Sequence, residues 1–432
     1  MIDRTPLAGA PRRAGAVLCC NLLPFSMPRG DRVSAIDNDT GSWEHLAEPD
    51  PRVCEADLER LRASTCIKWT WFDDDVIPAW VADMDFMPAP AILDAVRGLV
   101  DRGDFGYSWH AAKQLPEAFA AWEERRHGWR PDPERARIFC DVMQAVEAVL
   151  WLHTEPGDGV VLFTPVYHPF FPAITSTGRR IVDCPLDPHG WRIDPERLAS
   201  VVSADGGTRA ILTCNPHNPT GRAFDAEELA AIAEVAERHD LLVVSDEIWC
   251  DVVHPGAKHI PIATLSDEVA ARTVTISAAS KAFNVAGLHC AMAHVGHDGL
   301  AAEFEKLPRH LLGAVGSPGA EATLAAWTAG ESWLEQIRAH LTDQRDHLAA
   351  RLAAELPSAG FQPPEATYLA WLDFRAAGLG DDPAEGLLQK ARVALSNGPD
   401  FGEEGSGFAR LNFATSRQLL DEMLDRIVAA IA

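Results

Sequence analysis

The sequence has little positive charge and no long hydrophobic run. Its 432 residues carry 38 lysines and arginines against 63 aspartates and glutamates, which gives a formal net charge of −25. Duplex nucleic acids and anionic membranes are themselves negative, so they would repel such a chain. No apolar run approaches the roughly 20 residues that span a bilayer. The sequence therefore predicts neither a nucleic-acid partner nor a membrane partner.

The sequence also lacks the motifs of disulfide-rich and zinc-dependent proteins. Its nine cysteines are scattered without a CxxC pair, and none of its 16 histidines belongs to an HExxH motif. Cys140, Cys214, Cys250 and Cys290 lie in or beside apolar runs. This pattern is typical of reduced, buried thiols rather than disulfides or zinc ligands. We expect a cytoplasmic protein without a bound metal.

The length and composition indicate a globular chain of two or three domains. Hydrophobic residues make up 47% of the chain and charged residues 23%, which are ordinary values for folded proteins. Residues 1–55 are rich in Pro, Gly, Asp and Arg. We interpret them as a poorly ordered extension or as an over-long start, with Met27 as the alternative first residue.

After residue 150 the pattern alternates between strands and helices. The predicted strands, apolar on both faces, are 160–164, 210–214, 241–245 and 273–277. Between the second and third of them, Asp225 and Glu228 have the spacing of a capping box that begins a helix. Buried strands alternating with amphipathic helices favour a parallel sheet covered by helices.

A different pattern of predicted secondary structure begins near residue 317. Helical stretches run up to Glu355, and strands are predicted at 368–374 and 408–413 before a last helix at 416–431. This part is typical of an α+β domain. We therefore place a domain boundary near residue 325.

Three polar clusters follow predicted strands, at the sheet edge where α/β proteins bind ligands. Asn218 lies in the loop after 210–214, Asp246 ends the next strand, and Lys281 follows 273–277. Taken singly, these residues also fit a plain turn, a helix cap and a surface lysine. Taken together, they indicate one site.

The surroundings of two of these residues suggest their chemistry. Asp246 follows a wholly apolar strand, and a buried carboxylate is costly unless a cation meets it. A protonated pyridine nitrogen would be such a cation. Lys281 is the only charged residue between Thr273 and Leu288, and a desolvated lysine has a lowered pKa that favours Schiff-base chemistry.

In this order and spacing, the three residues resemble the pyridoxal-phosphate enzymes of fold type I. Four further segments are similar to the MalY/PatB group of cystathionine β-lyase-like carbon–sulfur lyases. These segments are Trp80–Phe86, Phe105–Tyr107, Thr164–Phe171 and Ser280–Asn284. The resemblance runs from about residue 65 to the C-terminus.

The resemblance implies a fold and an assembly. The fold is α/β, with a large domain built on a mixed, mainly parallel sheet and a smaller α+β domain. Residues 56–95 would form the N-terminal part of the small domain, 96–325 the large cofactor-binding domain, and 326–432 the rest of the small domain. The assembly would be a homodimer with shared active sites.

The resemblance also implies roles for individual residues around pyridoxal 5'-phosphate. Lys281 would form the Schiff base and move the Cα proton of an amino-acid substrate. Asp246 would pair with the pyridinium nitrogen, Asn218 would bind the phenolic oxygen, and Tyr167 would stack on the ring. Trp249 would line the same cofactor site.

The remaining roles concern the phosphate and the substrate. The backbone N–H groups of Met143 and Gln144, at a helix N-terminus, would bind the phosphate. Ser280 and His289 would lie beside it, and Tyr107 would reach the phosphate of the neighbouring subunit. Arg410 would clamp the substrate carboxylate, since its planar guanidinium can bind that group with two hydrogen bonds.

Some positions depart from the family pattern, so the reaction has alternatives. Ala278, Val142 and Trp249 replace a hydroxyl residue, a glycine and a histidine or tyrosine. We predict α,β-elimination from a cysteine S-conjugate to a thiol, a keto acid and ammonia. The alternatives are an aminotransferase, an oxidative decarboxylating or deaminating enzyme, and a regulatory binding protein.

Overall fold

The structure, a computed structural model, describes residues 53–107, 109–308 and 310–431. The predicted extension therefore lies almost wholly outside the described residues. The strands are β1 (Ile77–Pro78), β2 (Ala136–Phe139), β3 (Gly159–Leu162), β4 (Arg180–Asp183), β5 (Thr208–Cys214), β6 (Leu242–Asp246), β7 (Thr273–Ser277), β8 (Ala291–Val295), β9 (Gly360–Phe361), β10 (Leu369–Asp373), β11 (Val393–Ala394), β12 (Ser396–Asn397) and β13 (Phe408–Asn412).

The helices lie between and around these strands along the chain. They are α1 (Leu58–Arg62), α2 (Ile67–Thr70), α3 (Pro90–Arg102), α4 (His110–His127), α5 (Val142–His153), α6 (Phe170–Thr175), α7 (Pro195–Asp205), α8 (Ala226–Arg238), α9 (Asp267–Ala270), α10 (Asp298–Lys306), α11 (Ser317–Ala329), α12 (Glu331–Glu355), α13 (Pro383–Ala391) and α14 (Arg417–Ile431). Among the described residues, no helix is long and apolar enough to cross a membrane.

A seven-stranded sheet carries the residues predicted to form the site. Its strand order is β2-β8-β7-β6-β5-β3-β4. Strands β4, β3, β5, β6 and β7 are parallel, and β8 runs antiparallel to both of its neighbours. The predicted mixed, mainly parallel sheet is therefore confirmed. In the register, Asp246 pairs with Cys214 on one side and with Ile276 on the other, so three strands end at the same level.

Burial explains why the central segments form strands. Every residue of β6 and β7 is buried, as are all residues of β5 except Arg209. The predicted capping box of α8 is also confirmed. The Asp225 carboxylate accepts from the backbone N–H of Glu228 (3.0 Å), and the Glu228 carboxylate accepts from the N–H of Asp225 (3.0 Å).

A smaller antiparallel sheet is built from the C-terminal part of the chain. Its order is β12-β13-β10-β9, and the predicted strands at 368–374 and 408–413 correspond to β10 and β13. On β13, Arg410 pairs with Trp371 of β10 and with Ser396 of β12. Strand β1 pairs with β11, which links residues near 77 to this part of the chain. The domain boundaries near 95 and 325 stay predictions.

The described cysteines agree with the sequence analysis. None of them forms a disulfide, and Cys184, Cys214, Cys250 and Cys290 are buried. Burial raises the pKa of the Cys290 thiol to about 11. These side chains are therefore protonated thiols within the core in the absence of a metal.

Candidate active site

A cavity of about 440 Å³ lies at the carboxyl ends of β5, β6 and β7. It brings together nine of the eleven predicted site residues, namely Met143, Tyr167, Asn218, Asp246, Trp249, Ser280, Lys281, His289 and Arg410. The parallel strands deliver the central three, because their ends meet at one edge of the sheet. Arg410 enters from the smaller sheet. The predicted convergence on one site is thus present in the geometry.

Asp246 is a buried carboxylate whose charge is poorly compensated. The residue is 2% exposed, and its Oδ1 accepts a hydrogen bond from the backbone N–H of Ile248 at 3.0 Å. The pKa of Asp246 is raised to about 7, mainly by removal from water and also by the neighbouring Glu247 charge, against the opposing effects of the Ile248 N–H and of Lys281. A cation placed against this carboxylate would stabilise its charged form.

Lys281 follows β7 and points at the N-terminal part of the chain. Its Nζ donates to the backbone carbonyl of Ala82 at 3.1 Å, and the Tyr368 hydroxyl donates to the same oxygen at 2.9 Å. Its ammonium lies 5.9 Å from the centre of the Trp249 ring, which itself packs on Tyr368. Desolvation lowers the pKa of Lys281, so the surroundings favour the neutral amine.

The side-chain amides of Asn412, at the end of β13, and of Asn284, in the loop after β7, hold the segment that carries Ala82. Nδ2 of Asn412 donates to the carbonyls of Val81 (2.6 Å) and Asp83 (2.7 Å). The Asn284 side chain accepts from the N–H of Met84 (2.9 Å) and donates to its carbonyl (2.9 Å). The carbonyl that meets Lys281 is therefore fixed by hydrogen bonds on both sides.

Asn218 and Arg410 are joined directly. Nη1 of Arg410 donates to Oδ1 of Asn218 at 2.8 Å, and Nη2 donates to the Trp80 carbonyl (2.8 Å) and to the Ser396 hydroxyl (2.9 Å). Desolvation lowers the pKa of Arg410 to about 10, so it remains a cation at neutral pH. Its buried Nε has no hydrogen-bond partner among the described residues. The guanidinium is thus held in place by its Nη atoms, and its Nε–H remains available as a donor to a ligand.

The first turn of α5 lies at the cavity, and one of its N–H groups takes part in the helix cap. Val142 and Met143 line the cavity, and N–H groups in the first turn of a helix lack partners within it. The N–H of Gln144 instead donates to the Asp141 carboxylate at 2.7 Å, which caps the helix. The Gln144 side chain bonds the backbone of Cys140 and Leu312. The Gln144 N–H is therefore engaged in the cap, and its contact with a phosphate stays a prediction.

Ser280 and His289 both line this end of the cavity. Nδ1 of His289 lies 3.8 Å from the Asp141 carboxylate, and its side chain is largely exposed. Tyr107 does not line the cavity of its own chain, since its side chain is fully exposed. The side chains of Phe105 and Trp109 are also largely exposed. This position leaves Tyr107 available to a neighbouring chain.

The sequence analysis missed several residues of the cavity. Trp80 and Ala82 contribute main-chain oxygens, which leave no signal in residue type. Ser396 lies on a two-residue strand without any periodic pattern. His168 also lines the cavity, and its place beside Tyr167 could have drawn attention to it.

Comparison with known proteins agrees with this geometry. The family model "Aminotransferase class I and II" matches residues 81–427. Cystathionine beta-lyase PatB of Bacillus subtilis (strain 168) is 38% identical over 362 residues, which cover 83% of this chain and 93% of the relative. Protein MalY of Escherichia coli (strain K12) is 31% identical over 382 residues, which cover 85% and 95%.

A solved structure extends the likeness to the fold. The crystal structure of the PLP-bound C–S lyase from Staphylococcus hominis matches with a TM-score of 0.80 at 30% identity, covering 86% of this chain and 96% of that chain. The α/β fold expected from the resemblance is confirmed by this match and by the strand order of the large sheet. A family model that spans most of the chain, together with relatives that match it nearly end to end, shows that the chain belongs to the aminotransferase class I and II family.

Proposed function

We propose that this protein is a pyridoxal-phosphate-dependent carbon–sulfur β-lyase that cleaves cysteine S-conjugates to a thiol, a keto acid and ammonia. The observation that carries the proposal is the convergence of Lys281, Asp246, Asn218 and Arg410 on one cavity. The likeness to PatB, a cystathionine β-lyase, and to the C–S lyase of Staphylococcus hominis supports elimination as the reaction.

The residues present fit the cofactor. Asp246 is a buried carboxylate with a pKa raised to about 7, and it needs the cation that a pyridinium nitrogen would supply. Asn218 lines the same cavity and would bind the phenolic oxygen, and Tyr167 would provide an aromatic face. The first turn of α5, with Ser280, would hold the phosphate, because helix N-termini favour anions. When bound, pyridoxal phosphate supplies an electron sink for charge that develops at Cα.

The side chains of this protein would then orient the substrate and move the proton. Arg410, already fixed by Asn218 and Trp80, would grip the α-carboxylate with its remaining donors. That grip leaves the Cα hydrogen facing Lys281, whose lowered pKa suits an amine that takes up a proton. Orientation of this kind decides which bond at Cα breaks.

The same proposal includes a homodimer. Phe105, Tyr107 and Trp109 form a short stretch of exposed aromatic side chains, and Ser317 donates to the carbonyl of Gly106 at 2.9 Å. Large exposed apolar groups in one stretch are typical of an interface. A second copy would cover them and would receive Tyr107 at its own site. The cytoplasmic location and the amino-acid substrate belong to this proposal as well.

Product analysis with one cysteine S-conjugate tests the reaction. We expect thiol, keto acid and ammonia in equal amounts, with no effect of oxygen or of an added keto acid. Amino-acid formation from the added keto acid would favour the aminotransferase instead. Release of carbon dioxide with oxygen uptake would favour oxidative decarboxylation. A protein that binds the cofactor but turns over no conjugate would point to a binding role. The Lys281→Ala variant is the control for non-enzymatic breakdown.

A further inference from the structure

A second group of polar side chains is buried outside the active-site cavity. Glu123 and His127 lie on α4, and Cys250 and Asp251 follow β6. The exposed fractions are 2% for Glu123, 2% for Cys250 and 4% for Asp251, and the side chain of His127 is 7% exposed. None of the four lines the cavity. The proposed lyase reaction therefore gives them no task.

These side chains bring metal-binding atoms together. One ligand atom from each of Glu123, His127 and Cys250 lies within 4.8 Å of the other two. Glu123 and His127 are four positions apart on one helix, so they share a face. In tetrahedral zinc sites, metal–ligand distances of about 2.0–2.3 Å place ligand atoms roughly 3.3–3.7 Å apart. The three atoms need to close by only about 1 Å to surround a zinc ion.

Two buried atoms here lack hydrogen-bond partners. They are Nε2 of His127 and Oδ1 of Asp251, which have no hydrogen bond within the described part of the chain, although Nε of Arg126 lies 3.4 Å from that Oδ1. They face each other at 3.4 Å, about the separation of adjacent nitrogen and oxygen ligands on one tetrahedral ion. Buried polar atoms are normally satisfied. A cation bound between them would satisfy both.

The charges around the cluster point the same way. Nε of Arg126 lies 3.4 Å from Oδ1 of Asp251, and Glu331 and Glu335 of α12 share the same guanidinium, at 3.4 and 2.5 Å. The single charge of Arg126 is thus divided among three carboxylates, so a further cation at the cluster would be favoured.

We propose that Glu123, His127 and Cys250 bind a divalent transition-metal ion, with zinc as the fitting choice, and that Asp251 closes the coordination. Binding would release the protons of the Cys250 thiol and of the Glu123 carboxyl to solvent, since the thiolate and the carboxylate are the ligands. The indole of Trp122 donates to Oδ2 of Asp251 at 2.9 Å, which orients that carboxylate as an outer-shell partner would. Four protein ligands without an open position are typical of a structural site.

The site would fasten α4 to the segment behind the active site. Cys250 directly follows Trp249, which lines the cavity, and its Sγ lies 3.8 Å from the hydroxyl of Ser277 at the end of β7. The loop that begins at Ser277 leads to Lys281. The metal would thus stabilise the wall of the cavity without touching cofactor or substrate.

Zinc retention by the full-length holoenzyme tests the proposal. The protein is incubated with Zn²⁺ alone and desalted, and its metal content is measured by mass spectrometry. We expect about one zinc per chain, falling by about tenfold or more in Cys250→Ser and His127→Gln, as for loss of a ligand. Cys184→Ser, which removes a buried thiol elsewhere, is the matched control and should retain zinc. Equal retention by wild type and Cys250→Ser would overturn the proposal.

Cobalt provides a test that does not depend on how the variants fold. Co²⁺ bound to a thiolate in a tetrahedral site gives charge-transfer and ligand-field bands, the latter far to the red of the cofactor's absorption. Wild-type holoenzyme loaded with Co²⁺ should show both, and added Zn²⁺ should remove them. Absence of a ligand-field band in the wild type would refute the site. Zinc should also raise the melting temperature of wild type and of Cys184→Ser, but not of Cys250→Ser.

Discussion

At the scale of single residues, two groups of the site are held away from their usual ionisation. The pKa of Asp246 is raised to about 7 and that of Lys281 is lowered, and desolvation is the main cause of both shifts. Each charge is therefore costly in the protein alone. A ligand that brings a cation to Asp246 and a carbonyl to Lys281 removes both energetic penalties. The relief of these penalties therefore contributes to the free energy of ligand binding.

The first prediction concerns the covalent partner of the cofactor. Lys281 should be the lysine that borohydride reduction links permanently to pyridoxal phosphate, because its amine is desolvated and faces the cavity. Peptide mapping by mass spectrometry identifies the labelled residue. Lys68 is the control, since it is also a buried lysine near the same N-terminal segment but pairs with the Asp85 carboxylate at 2.9 Å. A label on Lys68 rather than Lys281 would contradict the assignment.

The second prediction follows from the raised pKa of Asp246. The folded protein without cofactor holds this proton up to about pH 7, whereas an unfolded aspartate loses it near pH 4. The folded state therefore binds more protons between these values, and its stability falls as the pH rises from about 4 to 7.

Asp246→Asn should remove this loss. At pH 7.5, we expect the cofactor-free variant to be more stable than cofactor-free wild type by a few kcal/mol, an order-of-magnitude figure, and to be similar near pH 4. Urea unfolding at both pH values measures the difference. Equal stability of the two proteins at pH 7.5 would argue against a costly charge at Asp246.

The third prediction concerns the carboxylate clamp. Arg410→Ala should lower kcat/KM for a cysteine conjugate by roughly 10²-fold or more, as for loss of a charged hydrogen-bonding partner. Arg410→Lys should recover little, because lysine lacks the planar fork.

A substrate with a carboxamide in place of its carboxylate is the control. It should be poor with wild type but lose little further with Arg410→Ala. Additive losses for the two changes would show that Arg410 acts elsewhere. The absorbance of bound cofactor separates weaker catalysis from loss of the cofactor.

The residues that sequence reasoning found and missed differ in kind. Asn218, Asp246 and Lys281 act through side chains at the ends of apolar strands, so their residue types and positions both carried a signal. Ala82 and Trp80 act through carbonyl oxygens, which every residue possesses. The phosphate contact of Gln144 stays a prediction, and Asp141 competes for its N–H as a helix cap, a local competition that the resemblance alone did not reveal.

At the scale of elements, the strands predicted best were those rich in β-branched residues. β7 matches its predicted bounds of 273–277, whereas β2 and β8 were not predicted. β8 reads Ala-Met-Ala-His-Val, and alanine has low strand propensity. It is a strand because β7 and β2 flank it on both sides, and that context is absent from a local pattern.

The fourth prediction tests the cap of α8. Asp225→Ala removes the hydrogen bonds to the N–H groups of Glu227 and Glu228, along with an ion pair to Arg192. We expect a loss of about 1 kcal/mol in the free energy of unfolding. Glu227→Ala, which removes an acid from the same turn but no cap, should change stability by less than about 0.5 kcal/mol. Asp225→Ser should restore most of the loss, and failure to do so would assign the effect to the ion pair.

At the scale of the whole molecule, the fifth prediction tests the shared site. A Tyr107→Ala chain and a Lys281→Ala chain are purified separately, and each should have low activity. Mixed under conditions that exchange subunits, they form dimers with one intact site and one doubly altered site. Activity should rise to about one quarter of wild type, since half of the dimers carry one working site in two. No gain on mixing, or a fully active monomer in sedimentation, would exclude the shared site.

The parts of the site come from distant places in the chain, and this has a consequence for folding. The bond from Lys281 to Ala82 spans 199 residues, and that from Arg410 to Trp80 spans 330. Closing such long loops costs entropy that is repaid only when the contacts form, so contacts of this range are slow to appear. The parallel strands can assemble from neighbouring segments of the chain, but the amine and the guanidinium find their places only when the early and late segments meet. During refolding, helical structure should therefore return before the protein becomes competent to hold its cofactor.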